Sequence, residues 1–319
     1  MTSPSDTVIA NRDPSAGLTS RATTHGGEIG PLRHLSVERA RLAELSWQHF
    51  DVCRLGATVG AVISGIDITT ELADDVVAEL RRALFEYKVI FFRDQPLTAD
   101  RHVAFARRFG ELEVHPFIPG NAGTPELVRF EKSAEVGGYE NGWHHDVTWR
   151  AVPSMGAVLH AIHVPASGGD TLFCDMYAAF DGLDDATRAR LCTLDAQHDF
   201  MRAFGRQVPA ERRAEMREKY PTVVHPVVPV HPESGRHYLY VNRFFTDSIV
   251  GLDADESTEL MAMLFRQAEL VEYQCRFQWE PDSVAFWDNR AVQHYASSDY
   301  WPEMRVMERA SIIGTSPSR

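Results

Sequence analysis

The segment Gly142-Trp143-His144-His145-Asp146-Val147-Thr148-Trp149 sets a histidine two residues before an aspartate. On an extended strand, residues i and i+2 project from one face, so His144 and Asp146 can grip one ion while His145 points away. A third ligand is needed, and His294, in the run from Trp287 to Tyr295, is the best candidate. Two imidazoles and one carboxylate on one face of an octahedron leave positions open for substrate and oxygen, the donor set of non-haem Fe(II) oxygenases. The motif alone is weak, because a chain with 14 histidines yields roughly one His-x-Asp by chance. Arg305 and Arg309 strengthen it. Two guanidiniums near a metal make a bidentate clamp for carboxylate or sulfonate groups, which a zinc hydrolase would not need. Val306, Met307, Ala310, Ile312 and Ile313 read as a late strand, on which positions 305 and 309 share a face. The alternative is a pair of surface arginines in salt bridges that contribute little.

Other chemistry-bearing residues have plainer readings. His145, His160, His163, His225, His231 and His237 default to packing or solvent, and Phe204, Phe245, Trp143 and Trp287 to core aromatics. Trp287-Asp288-Asn289 reads as a turn-fixing segment before His294. Gly168-Gly169 is a turn signal without the lysine or spacing of a phosphate loop.

Elements must hold these groups together. Apolar residues at Val76, Val77, Leu80 and Leu84 predict a helix from Ala73 to Tyr87, followed by a buried strand over Lys88–Phe92. A second helix fits Thr98–Phe109, with Thr98 as N-cap and Gly110 as a left-handed terminator. Beyond Val114 come short apolar runs broken by Pro and Gly: Leu127–Phe130, Met155–Val164, Thr171–Phe173, Val223–Val230, Tyr238–Val241, Val284–Trp287 and Val306–Ile313. Many short strands with turn signals predict a sandwich or barrel. Pro232–Arg236 reads as a hairpin turn, and Asp253-x-x-Glu256 as a capping box before a helix ending near Leu270. The class is α+β with a mainly β core.

Residues 1–35 are rich in Ser, Thr, Gly and Pro without apolar period and read as a flexible arm; 36–319 reads as one domain. The net charge of −13 and the lack of a basic tract argue against nucleic acid or anionic lipid as a partner. No apolar run reaches membrane-helix length and no secretory signal is visible, so a cytoplasmic protein without membrane association is expected. Cys53, Cys174, Cys192 and Cys275 form no C-x-x-C pair and read as reduced thiols.

The ordered set Trp143–Thr148, Gly168–Leu172, His225–Val228, Trp287–Tyr295 and Arg305–Arg309 resembles the Fe(II)- and 2-oxoglutarate-dependent taurine dioxygenase (TauD/TfdA) family, over about Leu55 to Gly314. The resemblance implies a double-stranded β-helix, or jelly roll, with flanking helices. It implies that His144, Asp146 and His294 ligate Fe(II), and that Arg305, helped by the Thr171 hydroxyl, pairs with 2-oxoglutarate. The reaction implied consumes molecular oxygen, turns 2-oxoglutarate into succinate and carbon dioxide, and hydroxylates a substrate carbon. Hydroxylation beside a sulfonate would expel sulfite and leave an aldehyde. Ligation requires neutral imidazoles, so iron affinity is expected to fall as pH drops through the histidine range.

For the substrate, the resemblance matches Arg309 and His115 to a sulfonate-binding pair, Phe204 and Phe245 to pocket aromatics, and Val147 to a backbone contact. Ile118 and Glu140 depart from the taurine enzyme, which has tyrosine and asparagine there. Ile118 makes one wall greasier, and a Glu140 facing the pocket would repel a second anion but pair with an ammonium group. The expected substrate is a small organosulfur anion, taurine or a related alkanesulfonate. An alkyl sulfate or aryloxyalkanoate, or a non-catalytic acid-binding jelly roll, are the alternatives. The resemblance also suggests a homodimer or tetramer.

Overall fold

The computed structural model describes residues 21–22, 28–29, 32–115, 120–121, 123–138 and 140–319. Most of the arm expected over 1–35, and Ile118, lie outside them. A short β1 (Arg21–Ala22) pairs antiparallel with β2 (Glu28–Ile29). The expected arm ends too late: α1 (Arg33–Ala43) begins inside it and buries Leu35. After β3 (Asp51–Arg54) and β4 (Ala61–Ser64) comes α2 (Asp74–Tyr87), which buries Val77, Leu80, Leu84 and Tyr87 along one stripe. It ends at Lys88, in left-handed conformation at φ 65°, and the chain enters β5 (Val89–Phe92), buried at every position. Lys88 is itself fully buried. Its Nζ donates to the Thr58 carbonyl at 2.7 Å and lies 3.3 Å from both Glu38 and Asp175, the pairing that a buried charge requires.

In α3 (Ala99–Arg107), the Thr98 side chain accepts from Arg101 N, as expected of an N-cap. Gly110 is not the left-handed terminator: its φ is 157°, and a Cβ there would meet Ile312 Cγ2 at 2.8 Å. Close approach, rather than helix ending, demands the glycine. The chain continues through β6 (Gly120–Asn121), β7 (Thr124–Lys132), β8 (Ser154–His163) and β9 (Thr171–Asp175). Next come α4 (Met176–Asp181), α5 (Asp185–Leu191), β10 (Asp195–His198), α6 (Phe200–Phe204), α7 (Arg213–Lys219), β11 (Val223–Pro226) and β12 (Thr246–Ile249). It closes with α8 (Ala254–Gln267), β13 (Gln274–Phe277), β14 (Val284–Asp288), β15 (Val292–Ala296) and β16 (Arg305–Ile313).

Eight strands form one sheet in the order β3-β4-β5-β14-β8-β16-β7-β6, antiparallel except for β4 beside β5. One face packs on α2 and α3 through Ile90, Phe92, Val158, Phe286, Ala310 and Ile312. The other faces a small sheet ordered β13-β9-β15, with Phe91, Ala157, Trp287 and Met307 meeting Phe173, Phe277 and Val292 in one cluster. This is the two-sheet jelly roll with flanking helices. A third sheet, β11-β10-β12, sits with α8 and the irregular run Tyr238–Val241. That run was expected as a strand; it is buried throughout but forms none, bonding instead from Leu239 N to Met176 O and from Tyr240 N to Val227 O.

Candidate active site

His144 and His294 are joined by a one-residue antiparallel bridge, with His144 N donating to His294 O at 3.1 Å and His294 N to His144 O at 2.9 Å. The His-x-Asp segment is therefore not a strand: the chain turns over Asp146–Trp149, with Val147 at φ 50°. A left-handed β-branched residue is costly and is held only where its surroundings over-determine it. What places Asp146 is Asn289, whose Oδ1 accepts from Asp146 N at 2.7 Å while its Nδ2 donates to the Asp146 and Ser154 carbonyls at 3.0 and 3.1 Å. The segment read as a turn-fixer thus grips the carboxylate's own backbone.

One donor atom from each of His144, Asp146 and His294 lies within 4.8 Å of the others. His144 Nδ1 donates to the Gly142 carbonyl at 2.7 Å, which leaves the Nε2 lone pair toward Asp146 Oδ1, 3.8 Å away. His294 Nε2 is 4.0 Å from the same oxygen. Burial lowers both histidines' pKa, His294 to about 3, so both are neutral at pH 7. Burial would raise Asp146, but the Arg309 charge and its hydrogen bond hold it at about 2. The set therefore stands in its ligating protonation state over a wide pH range. His145 turns into a buried pocket against Tyr240 rather than toward the surface, with ring centroids 4.8 Å apart.

Arg305 and Arg309 both line the cavity, from β16. Arg305 is 8% exposed, and its Nε and Nη2 have no partner among the described residues. Burial pushes its pKa down, and Tyr300 and Trp279 rings flank it at 5.8 Å. A buried fork with two unsatisfied N–H groups suits a carboxylate that reaches between the sheets. The Thr171 hydroxyl lines the same cavity and accepts from Trp279 Nε1 at 2.9 Å. Gly169, at φ 70°, keeps the approach clear: a Cβ there would sit 3.1 Å from Tyr300 and 3.4 Å from Arg305 Cδ. The donor set and the orphaned guanidinium together fit an Fe(II) ion and a dicarboxylate cosubstrate.

Arg309 Nη1 donates to Asp146 Oδ2 at 3.0 Å, leaving Oδ1 to the histidines. His115 lines the cavity nearby, and burial, then the Arg309 charge, lowers it to about 4, so it is a neutral imidazole. The cavity measures about 930 Å³. Val147, Phe204 and Phe245 line it, with Trp149, Phe200, Phe244 and Met216 extending the apolar wall. Glu140 also lines it, with its Oε1 3.1 Å from Lys132 Nζ.

Sequence reasoning missed Asn289 as the grip on Asp146, Lys132, and a basic rim of Arg202, Arg206, Arg212, Lys219 and Arg243. Arg206 and Lys219 form no ion pair among the described residues, whereas Arg212 pairs with Glu215 and Arg243 with Glu269. A signal for the rim existed in cations interleaved with Phe200, Phe204, Val208 and Met216.

Comparison with known proteins adds to this geometry. The family model "Taurine catabolism dioxygenase TauD, TfdA family" matches residues 51–311. An alkylsulfatase from Acinetobacter baylyi is 34% identical over 277 residues, covering 84% of this chain and 86% of that protein. An (S)-phenoxypropionate/alpha-ketoglutarate-dioxygenase from Sphingobium herbicidovorans is 34% identical over 285 residues, covering 84% and 96%. The crystal structure of a taurine dioxygenase from Burkholderia xenovorans superposes with a TM-score of 0.74 at 35% identity, covering 85% and 91%.

Proposed function

This chain belongs to the TauD/TfdA family of 2-oxoglutarate-dependent dioxygenases, and from that premise we propose that it oxidises an organosulfur anion carrying an apolar tail, an alkyl sulfate ester first. In this reading His144, Asp146 and His294 hold Fe(II), and Arg305 with Thr171 holds 2-oxoglutarate. Iron and 2-oxoglutarate, once bound, supply the oxidising chemistry by which oxygen hydroxylates a substrate carbon.

The chain's own residues decide which carbon. Arg309 is the observation that carries the proposal: its guanidinium touches Asp146 at 3.0 Å and lines a cavity rich in aromatic side chains. An anionic head held by Arg309 and by neutral His115 is fixed beside the carboxylate ligand, so the adjoining C–H bond is the one presented. Hydroxylating the carbon next to a sulfate ester oxygen gives a hemiacetal sulfate, which collapses to aldehyde and sulfate. Phe204, Phe245, Phe200 and Trp149 line a wall that a two-carbon sulfonate such as taurine would leave uncovered. The rim cations favour entry of anions, and Lys132 neutralises Glu140 so that the carboxylate does not oppose them.

The test is succinate formation with Fe(II), oxygen and 2-oxoglutarate across taurine, C2 to C12 alkyl sulfates, alkanesulfonates and aryloxypropionates, reading sulfate, sulfite and phenol in parallel. Sulfate release equal to succinate, with kcat/KM rising with chain length, is expected. Taurine turned over better than any longer anion would overturn the tail assignment. Full turnover by Arg309→Ala would overturn the clamp.

A further inference from the structure

Strand β16 presents Arg305, Met307 and Arg309 to the cavity, but Glu308 and Ala310 turn to the opposite face of the sheet, under the helices. On that face Glu308 is paired in register with His160 of β8, and His102 of α3 packs over them with its ring centroid 6.0 Å from that of His160. One donor atom from each of His102, His160 and Glu308 lies within 4.8 Å of the other two. We infer that these three residues form a second metal site, for a first-row divalent cation such as Zn²⁺, tying α3 to the large sheet.

The hydrogen bonds around the two imidazoles favour this over a packed histidine pair. His102 Nε2 lies 3.0 Å from the Val158 carbonyl, which can only accept, so Nε2 carries the proton and Nδ1 the lone pair. His160 Nε2 lies 3.3 Å from Asp282 Oδ1, which favours the same tautomer, and the Gln95 backbone also contacts this imidazole. Both Nδ1 atoms are buried without a partner among the described residues, on side chains that are 0% and 1% exposed. A histidine whose far nitrogen is anchored by a carbonyl or carboxylate, and whose near nitrogen is a bare lone pair, is dressed as a metal ligand. Burial lowers both pKa values, His102 to about 3, so neither lone pair is lost to a proton at pH 7.

Glu308 completes an N,N,O set. Arg129 Nη1 lies 3.2 Å from its Oε1, and a carboxylate with four lone-pair directions can serve a guanidinium and an ion together. Asp282, an exposed side chain, marks where the site comes nearest to solvent. Two imidazoles and one carboxylate suit zinc with a water as fourth ligand, and the lack of thiolates makes the site open to Mn²⁺ or Fe²⁺ as well. Nothing in the proposed reaction needs it, since the sheet separates it from the cavity.

The experiment uses the full chain with the active-site ligands removed, His144→Ala with His294→Ala, stripped by chelator and equilibrated with Zn²⁺ alone. Metal content after equilibrium dialysis and the visible absorption of the Co²⁺ form are read together. One equivalent of zinc is expected, reduced at least about tenfold in affinity by adding Glu308→Gln, and abolished by His102→Gln with His160→Gln. Near-UV circular dichroism establishes that each variant is folded, and Glu308→Gln keeps the shape of the side chain should the histidine variants fail to fold. A folded active-site variant that takes up no zinc, one whose zinc affinity is unchanged by Glu308→Gln, or one that keeps its zinc after the histidine changes, would overturn the site.

Discussion

A buried guanidinium with two N–H groups unmatched among the described residues is expensive, and Arg305 is such a group. Its cost in the free protein is repaid by whatever carboxylate it receives. Arg305→Gln is therefore expected to raise the KM for 2-oxoglutarate by about a hundredfold, from loss of a bidentate charge-assisted pair, while leaving the metal-free protein as stable as before or more so. Succinate kinetics and the melting temperature check the two halves; a purely structural arginine would lower the melting temperature and spare KM. At this scale much was legible. His144, Asp146, His294, Arg305 and Arg309, singled out in the sequence by their order and resemblance rather than by any one motif, all line one cavity. Asn289 and Lys132 were not legible, because an amide that grips a backbone and a lysine that pairs with Glu140 look like ordinary surface choices until the chain is folded.

Elements were legible where period and caps agreed. The α2 stripe, the Thr98 and Asp253 caps and the long runs of β8 and β16 all fell where the apolar pattern placed them. The pattern failed where burial has another source. Tyr238–Val241 is apolar because it is walled in by other elements, and its backbone groups find carbonyls in α4 and the β11 exit instead of a ladder. Likewise β10 and β12 are short and half polar, so no period marks them. Gly110 gives a prediction of its own. Since a methyl there would come within 2.8 Å of Ile312 Cγ2, Gly110→Ala should press β16 away from α3 and destabilise by about 1–3 kcal/mol. Denaturant titration measures this; an unchanged midpoint would mean that Ile312 moves aside freely.

The molecule as a whole stores neutral histidines. His102 is held at about 3 by burial, and His198 well below its ordinary value by burial and then by His225. Their unfolded pKa is about 6.5, so below that pH the unfolded chain takes up protons that the folded chain refuses. The stabilisation is complete above pH 6.5 and is lost as pH falls from there, by about 1.4 kcal/mol per pH unit for each such histidine. Chelator-treated protein should thus melt progressively lower from pH 6.5 to pH 4.5, and His102→Gln should flatten that slope by about one proton. A melting temperature flat across that range would contradict it. The shared guanidinium of Arg309 has a wider consequence, because it serves the Asp146 carboxylate and the proposed anion site at once. Two guests that draw on one host group obey thermodynamic reciprocity: the factor by which an anion changes the iron dissociation constant must equal the factor by which iron changes the anion's. An anion that draws Arg309 off Oδ2 returns negative charge to that carboxylate, so cargo and metal should each tighten the other's hold. The enzyme would then be best armed only when it has something to oxidise.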